Sequence, residues 1–466
     1  MLTAVASLLA FILAGIPAPD SVVVPERHDT ESEMEIAVFP PRGVRPPLSY
    51  RIDWGDGETL DWTEPLRSLT DISRFHRYRR EGVYSVRVMI RDSSTQSSEW
   101  SRPKPVRIGP PLLKWVFPTS EPVVASPALD SSGNIYIGDE SGTFYSISPA
   151  GTLRWSFSTR GPVYASAAVA GNRVLVASLD SSLYCLDTLG RQLWSLNLDD
   201  EVYSGPALGP DGTAYIATDS GYLIAVDVRG KRRWRVAVGA EIPTSPTVGH
   251  NGRIYVSADS VYCFDSRGRR VWTFGTPDES GGFFAAPVPD LLGNVYVGSA
   301  DDGHLYSIGP NGRLRWRAPV PDEDEIHSEV VFGPGDTLYF GTDGDYLCRL
   351  APGGTVKVIH EAYDILTVPP AISDSGTLYF LPDDGILWAV RSSGRLVWKQ
   401  ALAGGDKDLY YTSAPTIGPD GTVYVGSWDG GLYAFRGDGP PARTIWPQFR
   451  RDAQRTGRLR ALAPKR

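Results

Sequence analysis

NIYIGDESGTFYSISPAGTLRW, residues 134–155, holds three short runs rich in β-branched and aromatic residues, separated by turns of Asp, Glu, Ser, Pro and Gly. Runs of this length and composition favour strands, and the Asp/Ser/Gly breaks supply hairpin chemistry. Its ending, a glycine and three residues before a tryptophan, recurs in GRQLW (190–194), GKRRW (230–234), GRRVW (268–272), GRLRW (312–316) and GRLVW (394–398). The period of roughly 40 residues is that of propeller blades. Between the last two copies GGTVK (353–357) stands where the pattern is due and has lost its tryptophan.

Aligning NIYIG (134–138) with RVLVA (173–177), TAYIA (213–217), RIYVS (253–257), NVYVG (294–298), TLYFG (337–341), TLYFL (377–381) and TVYVG (422–426) gives eight hairpins, hence eight expected blades. LLKWVF (112–117) is a tryptophan strand with no hairpin before it, and the eighth hairpin has no regular tryptophan strand after it. The first is therefore expected to complete the last blade. Composition agrees with an all-β chain: 466 residues contain 49 Gly, 38 Pro, 13 Trp and 22 Tyr but only three Met. The length suits two domains.

The repeated tryptophan ending, with the terminal WPQFRRDAQRTG (446–457), resembles the pyrroloquinoline-quinone-like repeat family over residues 112–457. The resemblance implies radial four-stranded blades around a channel, placing an eight-bladed β-propeller at 112–440 and a tail at 441–466 that packs along its side or bottom. Likeness to the propeller of outer-membrane assembly implies protein binding. Quinoprotein dehydrogenases share the repeat and seat their cofactor over two adjacent cysteines beside a calcium ion. Here Cys185, Cys263 and Cys348 are far apart in sequence, in a slot held elsewhere by Ser146, Ala225, Ser307, Ala389 and Ala434. They read as unpaired core thiols, and no cofactor is expected.

Before the propeller, YRIDWGDGETLDW (50–62), FHRYRREGVYSVRVMIRD (75–92) and SSEWSRPKPVRI (97–108) alternate apolar and polar residues as half-buried strands do. A small β-sandwich at 20–109 follows. WGDG with a later H-x-Y and GVYSVRV resembles PKD-type, immunoglobulin-like domains. Asp53, Asp56 and Glu58 offer carboxylates for calcium, but turn chemistry accounts for them and no metal is assigned. The apolar run at 2–16 has the length of an export signal's core, so 1–18 reads as a signal peptide and the mature chain as periplasmic, cell-surface or extracellular.

A net charge of −8 argues against nucleic acid as partner. No GxSxG, HExxH, CxxC or phosphate-binding glycine loop occurs, so no catalytic residue is proposed. Residues just before the inner strands should ring the channel mouth: Val124, Tyr164, Tyr203, Pro243, Phe284, His327, Thr367 and Thr412, with Tyr410 and Tyr411 close by. Exposed aromatics suit a protein anchor or a stacked sugar. The connecting segments add Asp199, Asp200, Glu201, Glu241, Asp322, Glu323, Asp324 and Glu325, predicting an acidic face, with arginines on the opposite one. The function expected is a monomeric, exported binding or scaffold module for a protein partner. A polysaccharide binder is the alternative, and a divergent quinoprotein oxidoreductase stands further off.

Overall fold

The computed structural model describes residues 16–19, 21–30, 33–40, 46–66, 72–277, 282–362, 364–402 and 413–459. The export-signal reading falls almost wholly outside them. The chain divides in sequence after Leu112 into two compact units.

In the first unit Ser21–Val23, Met34–Phe39 and Ile72–His76 form a three-stranded sheet. Arg27–Asp29, Lys104–Gly109, Gly82–Asp92, Leu48–Asp53 and Thr59–Leu60, in that spatial order, form a five-stranded one. Two-residue alternation puts Met34, Ile36 and Val38 of one sheet and Tyr50, Ile52, Val86, Val88 and Ile90 of the other into a single apolar core. The turn acids serve this frame. Asp53 accepts the Gly55 amide at 2.9 Å and pairs with Arg87, while Asp56 accepts the Glu58 amide at 3.0 Å and meets His76 Nε2 at 2.7 Å.

From Leu113 onward the described residues form eight four-stranded sheets. The first consists of Ala128–Leu129, Ile135–Gly138, Thr143–Ile147 and Leu153–Ser158, each antiparallel to the next. Its two middle strands are buried on both faces except at Thr143, whereas Leu153–Ser158 alternates exposed with half-buried residues. That alternation marks an outer strand packed on one side only. The last sheet joins Thr416–Ile417, Thr422–Ser427 and Gly431–Arg436 to Leu113–Pro118, with Ala434 opposite Trp115. Strands from both ends of the repeat region thus close the ring, as the unpaired LLKWVF run anticipated.

The small-residue slot has a structural reason. Ser146, Cys185, Ala225, Cys263 and Ser307 lie opposite Trp155, Trp194, Trp234, Trp272 and Trp316, so a large indole faces a small partner across each ladder. The three thiols are free and buried, and burial pushes them up, to about 11 for Cys185 and about 12 for Cys263 and Cys348. In the sixth sheet Cys348 lies outside this slot, contrary to the reading from sequence: it pairs with Phe340, whereas Arg349 pairs with Tyr339 as the slot residues of the other sheets do with their counterparts, and Arg349 faces Lys357, the position that the spacing from Gly353 assigned to the lost tryptophan.

Five of the tryptophans also lock onto the following repeat. Trp155 Nε1 donates to the Thr188 carbonyl at 3.1 Å, and its ring lies so close to Gly190 that a Cβ there would meet it at 2.7 Å. Gly190 has φ +88°, a conformation that glycine adopts without cost. Trp115 with Gly151, Trp194 with Gly230, Trp234 with Gly268 and Trp272 with Gly312 repeat the contact. Gly353 does not share it, having nothing within 4 Å of a Cβ.

The tail takes a different course from the one expected at the side or bottom. It runs across the inner strands. The amides of Leu129, Val169, Leu208, Val248, Phe332 and Ile372 donate to the carbonyls of Ala453, Gln454, Thr456, Gly457, Trp446 and Pro447 at 2.6–2.9 Å. Ile417 donates to Gln448 Oε1 at 2.9 Å. Pro289 holds the equivalent place in the fifth sheet and has no N–H to give. An inner strand pairs on one side only, so its free edge faces the ring centre and needs acceptors there. Trp446, Arg450 and Arg455 are at most 1 % exposed in consequence.

Beyond the last hairpin, Asp438 accepts from Ser373 (2.9 Å), Thr377 (2.6 Å), Tyr379 (2.9 Å) and Arg391 (2.8 Å). Burial pushes its carboxyl up, but hydrogen bonds from Thr377, Ser375, Ser373 and Tyr379 outweigh this and hold it below the ordinary carboxylate range. The stability this contributes is full above the unfolded value of about 4 and is lost as pH falls through the lower folded value. Asp438→Asn is expected to cost about 1–3 kcal/mol at pH 7. Thermal melts of both chains should converge as pH drops below about 4; a gap that is independent of pH would contradict the assignment.

Candidate functional site

The loops that enter the inner strands converge on a cavity of about 610 Å3. Val124, Tyr164, Tyr203, Pro243, Phe284, His327 and Thr367 all line it, seven of the eight positions read from the repeat register. The eighth, Thr412, lies with Tyr410 and Tyr411 outside the described residues. Tyr164 and Tyr203 stack, centroids 6.1 Å apart, and Phe284 meets His327 edge-on at 5.6 Å. Tyr203 and Phe284 remain 40 % and 48 % exposed. Large aromatic area is thus offered to solvent on a rigid frame.

The acidic residues divide by use. Glu325 lines the cavity. Asp200 is spent on the Ser220 amide (3.0 Å) and hydroxyl (2.9 Å), and Asp324 on the Gly344 amide. Asp199 pairs with Arg232 at 3.0 Å, so the separation of acidic and basic faces expected from the sequence is incomplete. A long guanidinium arm reaches across from the neighbouring outer strand. Glu201 lies within 3.5 Å of the Tyr203 hydroxyl, Asp322 within 3.4 Å of the Tyr346 hydroxyl, and Glu241 and Glu323 are exposed.

Register alone did not single out three further groups in the mouth. Asp343, from another loop, approaches His327 Nδ1 at 2.9 Å, while Glu325 approaches Nε2 at 3.4 Å. Burial lowers the proton affinity of His327, but the Asp343 hydrogen bond and the charges of Asp343, Glu325 and Asp301 raise it above the ordinary value. Glu329, 3 % exposed, and Phe449 of the tail complete the lining. Burial lifts the Glu329 carboxyl to about 7 against the pull of Arg450, whose amide reaches Oε2 at 3.2 Å, with the Trp446 indole at 3.4 Å. Glu329 was visible in principle. Its register position is held elsewhere by Ser126, Ser166, Gly205, Ser245, Ala286, Pro369 and Ala414, and a carboxylate among residues without charge marks an exception.

Four-stranded sheets in a ring, indoles docked on the turns of five following repeats and a loop-lined mouth define a β-propeller of the pyrroloquinoline-quinone-like repeat class. Residues 87–196, 179–333 and 301–459 match the family model described as outer membrane protein assembly factor BamB, and the chain belongs to that family. No curated protein sequence matches it.

Solved structures with the same fold include BamB from Moraxella catarrhalis, 14 % identical, with TM-score 0.57 over 70 % of this chain and 99 % of that one. The computationally designed Ika8 protein is 15 % identical, with TM-score 0.57 over 68 % and 97 %. Sqt1 of Saccharomyces cerevisiae is 11 % identical, with TM-score 0.60 over 71 % and 100 %. At such identities the likeness concerns fold alone. Among the described residues no helix is long and apolar enough to cross a membrane.

Proposed function

We propose that this chain is an exported, non-enzymatic binding protein whose propeller mouth holds a protein partner. The first unit, read as a PKD or immunoglobulin-like module, acts as spacer or second binding surface. The observation that carries this reading is the mouth itself: Tyr203 and Phe284 stand half-exposed at the rim of a cavity whose floor is fixed by the buried tail. Rigid aromatic anchors contribute contact area with little loss of side-chain entropy, and a plugged ring does not deform when loaded. Glu325 and Asp343 in the lining, with Glu201 beside the Tyr203 hydroxyl, favour a partner with basic side chains. The family's description makes a component of outer-membrane protein assembly the first partner to try.

A photo-crosslinking residue at Tyr203 or Phe284, in cells of the native host, should trap one defined protein. The same residue at Leu193, exposed on an outer strand, should not. Tyr164→Ala combined with Glu325→Gln should weaken the captured complex by about ten-fold, equivalent to about 1.4 kcal/mol. Equal trapping at Leu193, or an oligosaccharide found in the mouth instead, would overturn the reading.

A further inference from the structure

We infer that Glu325, His327 and Asp343 form a binding site for a divalent transition-metal ion of the zinc class. Among the described residues they are the one group of His, Cys, Asp and Glu whose donor atoms all lie within 4.8 Å of one another. Tetrahedral coordination at about 2.0–2.2 Å requires donor separations of a little over 3 Å. Asp343 meets Nδ1 of the imidazole at 2.9 Å and Glu325 meets Nε2 at 3.4 Å, so one ring nitrogen takes the ion and the carboxylate on the other side swings toward it, a closure from within 4.8 Å to a little over 3 Å.

The backbone holds the two ligand-bearing segments in register. The Asp343 amide donates to the Glu325 carbonyl at 3.1 Å, and the Ile326 amide to the Ser299 carbonyl at 2.9 Å. The donor set selects the ion. An imidazole with two carboxylates suits zinc-class ions, whereas calcium and magnesium prefer oxygen-only shells.

A second observation points to a polar occupant in the same cavity. Glu329 Oε1 and Thr244 Oγ1, on side chains 3 % and 7 % exposed, line it without a hydrogen-bond partner, and Asp343 Oδ1 is likewise unmatched. Buried polar atoms without partners are costly, and water molecules on a bound ion would satisfy them. Three protein ligands leave the remaining coordination positions facing the cavity, the arrangement of an open site.

The test uses the purified full chain and metal alone, so it is independent of the partner reading. Zn2+ is competed against a chromophoric chelator at neutral pH, with Co2+ as the spectroscopic stand-in. One equivalent should bind, and the Co2+ spectrum should show nitrogen and oxygen ligation. His327→Ala, Asp343→Asn and Glu325→Gln should each weaken binding by roughly ten-fold or more, while Glu201→Gln at the same rim leaves it unchanged. The Glu325 side chain is 53 % exposed, so Glu325→Gln reports on the site without disturbing the fold. Failure to saturate, or ligand variants that bind the metal as tightly as the parent chain, would overturn the inference.

Discussion

Truncation of the chain before Trp446 is expected to lower the thermal midpoint of the propeller by about 10 °C or more. Seven inner-strand amides, one from every sheet except the one carrying Pro289, donate to the tail. At about 1 kcal/mol net per bond their loss alone removes several kcal/mol. The buried Trp446, Ala453 and Leu459 add apolar area returned to water. A point change gives a finer measure. Arg455 donates to the carbonyls of Pro127 (3.0 Å), Phe449 (2.5 Å) and Ala414 (3.1 Å), and so ties the first sheet to the last through the tail. Burial pushes its guanidinium down to about 9, still charged at neutral pH. Arg455→Ala leaves those carbonyls without their donor and should cost about 3 kcal/mol. Calorimetric melts check both changes. A truncated chain that melts with the parent would show that the tail only rests on the ring.

The second large effect concerns the indole locks. Trp155→Ala removes a ring packed against Tyr136, Phe144 and Gly190 together with its bond to Thr188, and should cost about 3 kcal/mol. Gly190→Ala approaches the same contact from the other side, forcing a Cβ into the ring at a positive φ, and should be destabilising by a comparable amount. The comparison with Trp316 is the sharper test. The glycine due to receive it, Gly353, makes no such contact, so Trp316→Ala should cost less than half as much in urea unfolding. Equal losses at Trp155 and Trp316 would mean that the indoles act through their own ladders and not by joining neighbours.

Much of the site was legible because a repeat converts spacing into position. Once the hairpins are aligned, Tyr164, Tyr203, Phe284 and His327 share one register and must share one end of the ring. The partners of His327 were not legible in this way. Asp343 comes from a different loop of the repeat, and only the backbone bond between Asp343 and Glu325 brings the two acids to one imidazole. The acidic face was overestimated for a related reason: composition counts carboxylates, whereas Asp199, Asp200 and Asp324 are engaged by Arg232, Ser220 and Gly344.

By itself the sequence determined the strands, the turns, the repeat and the closing role of LLKWVF, since these rest on two-residue alternation, turn residues and self-similarity, all local or periodic. Tertiary structure alone decided the course of the tail, the placing of Arg349 and not Cys348 opposite the lost tryptophan position, and the meeting of Glu325, His327 and Asp343. The tail finds its place because inner strands from separate sheets each leave an amide pointing at the ring centre. That need exists only once the ring has formed, and no single stretch of the chain records it.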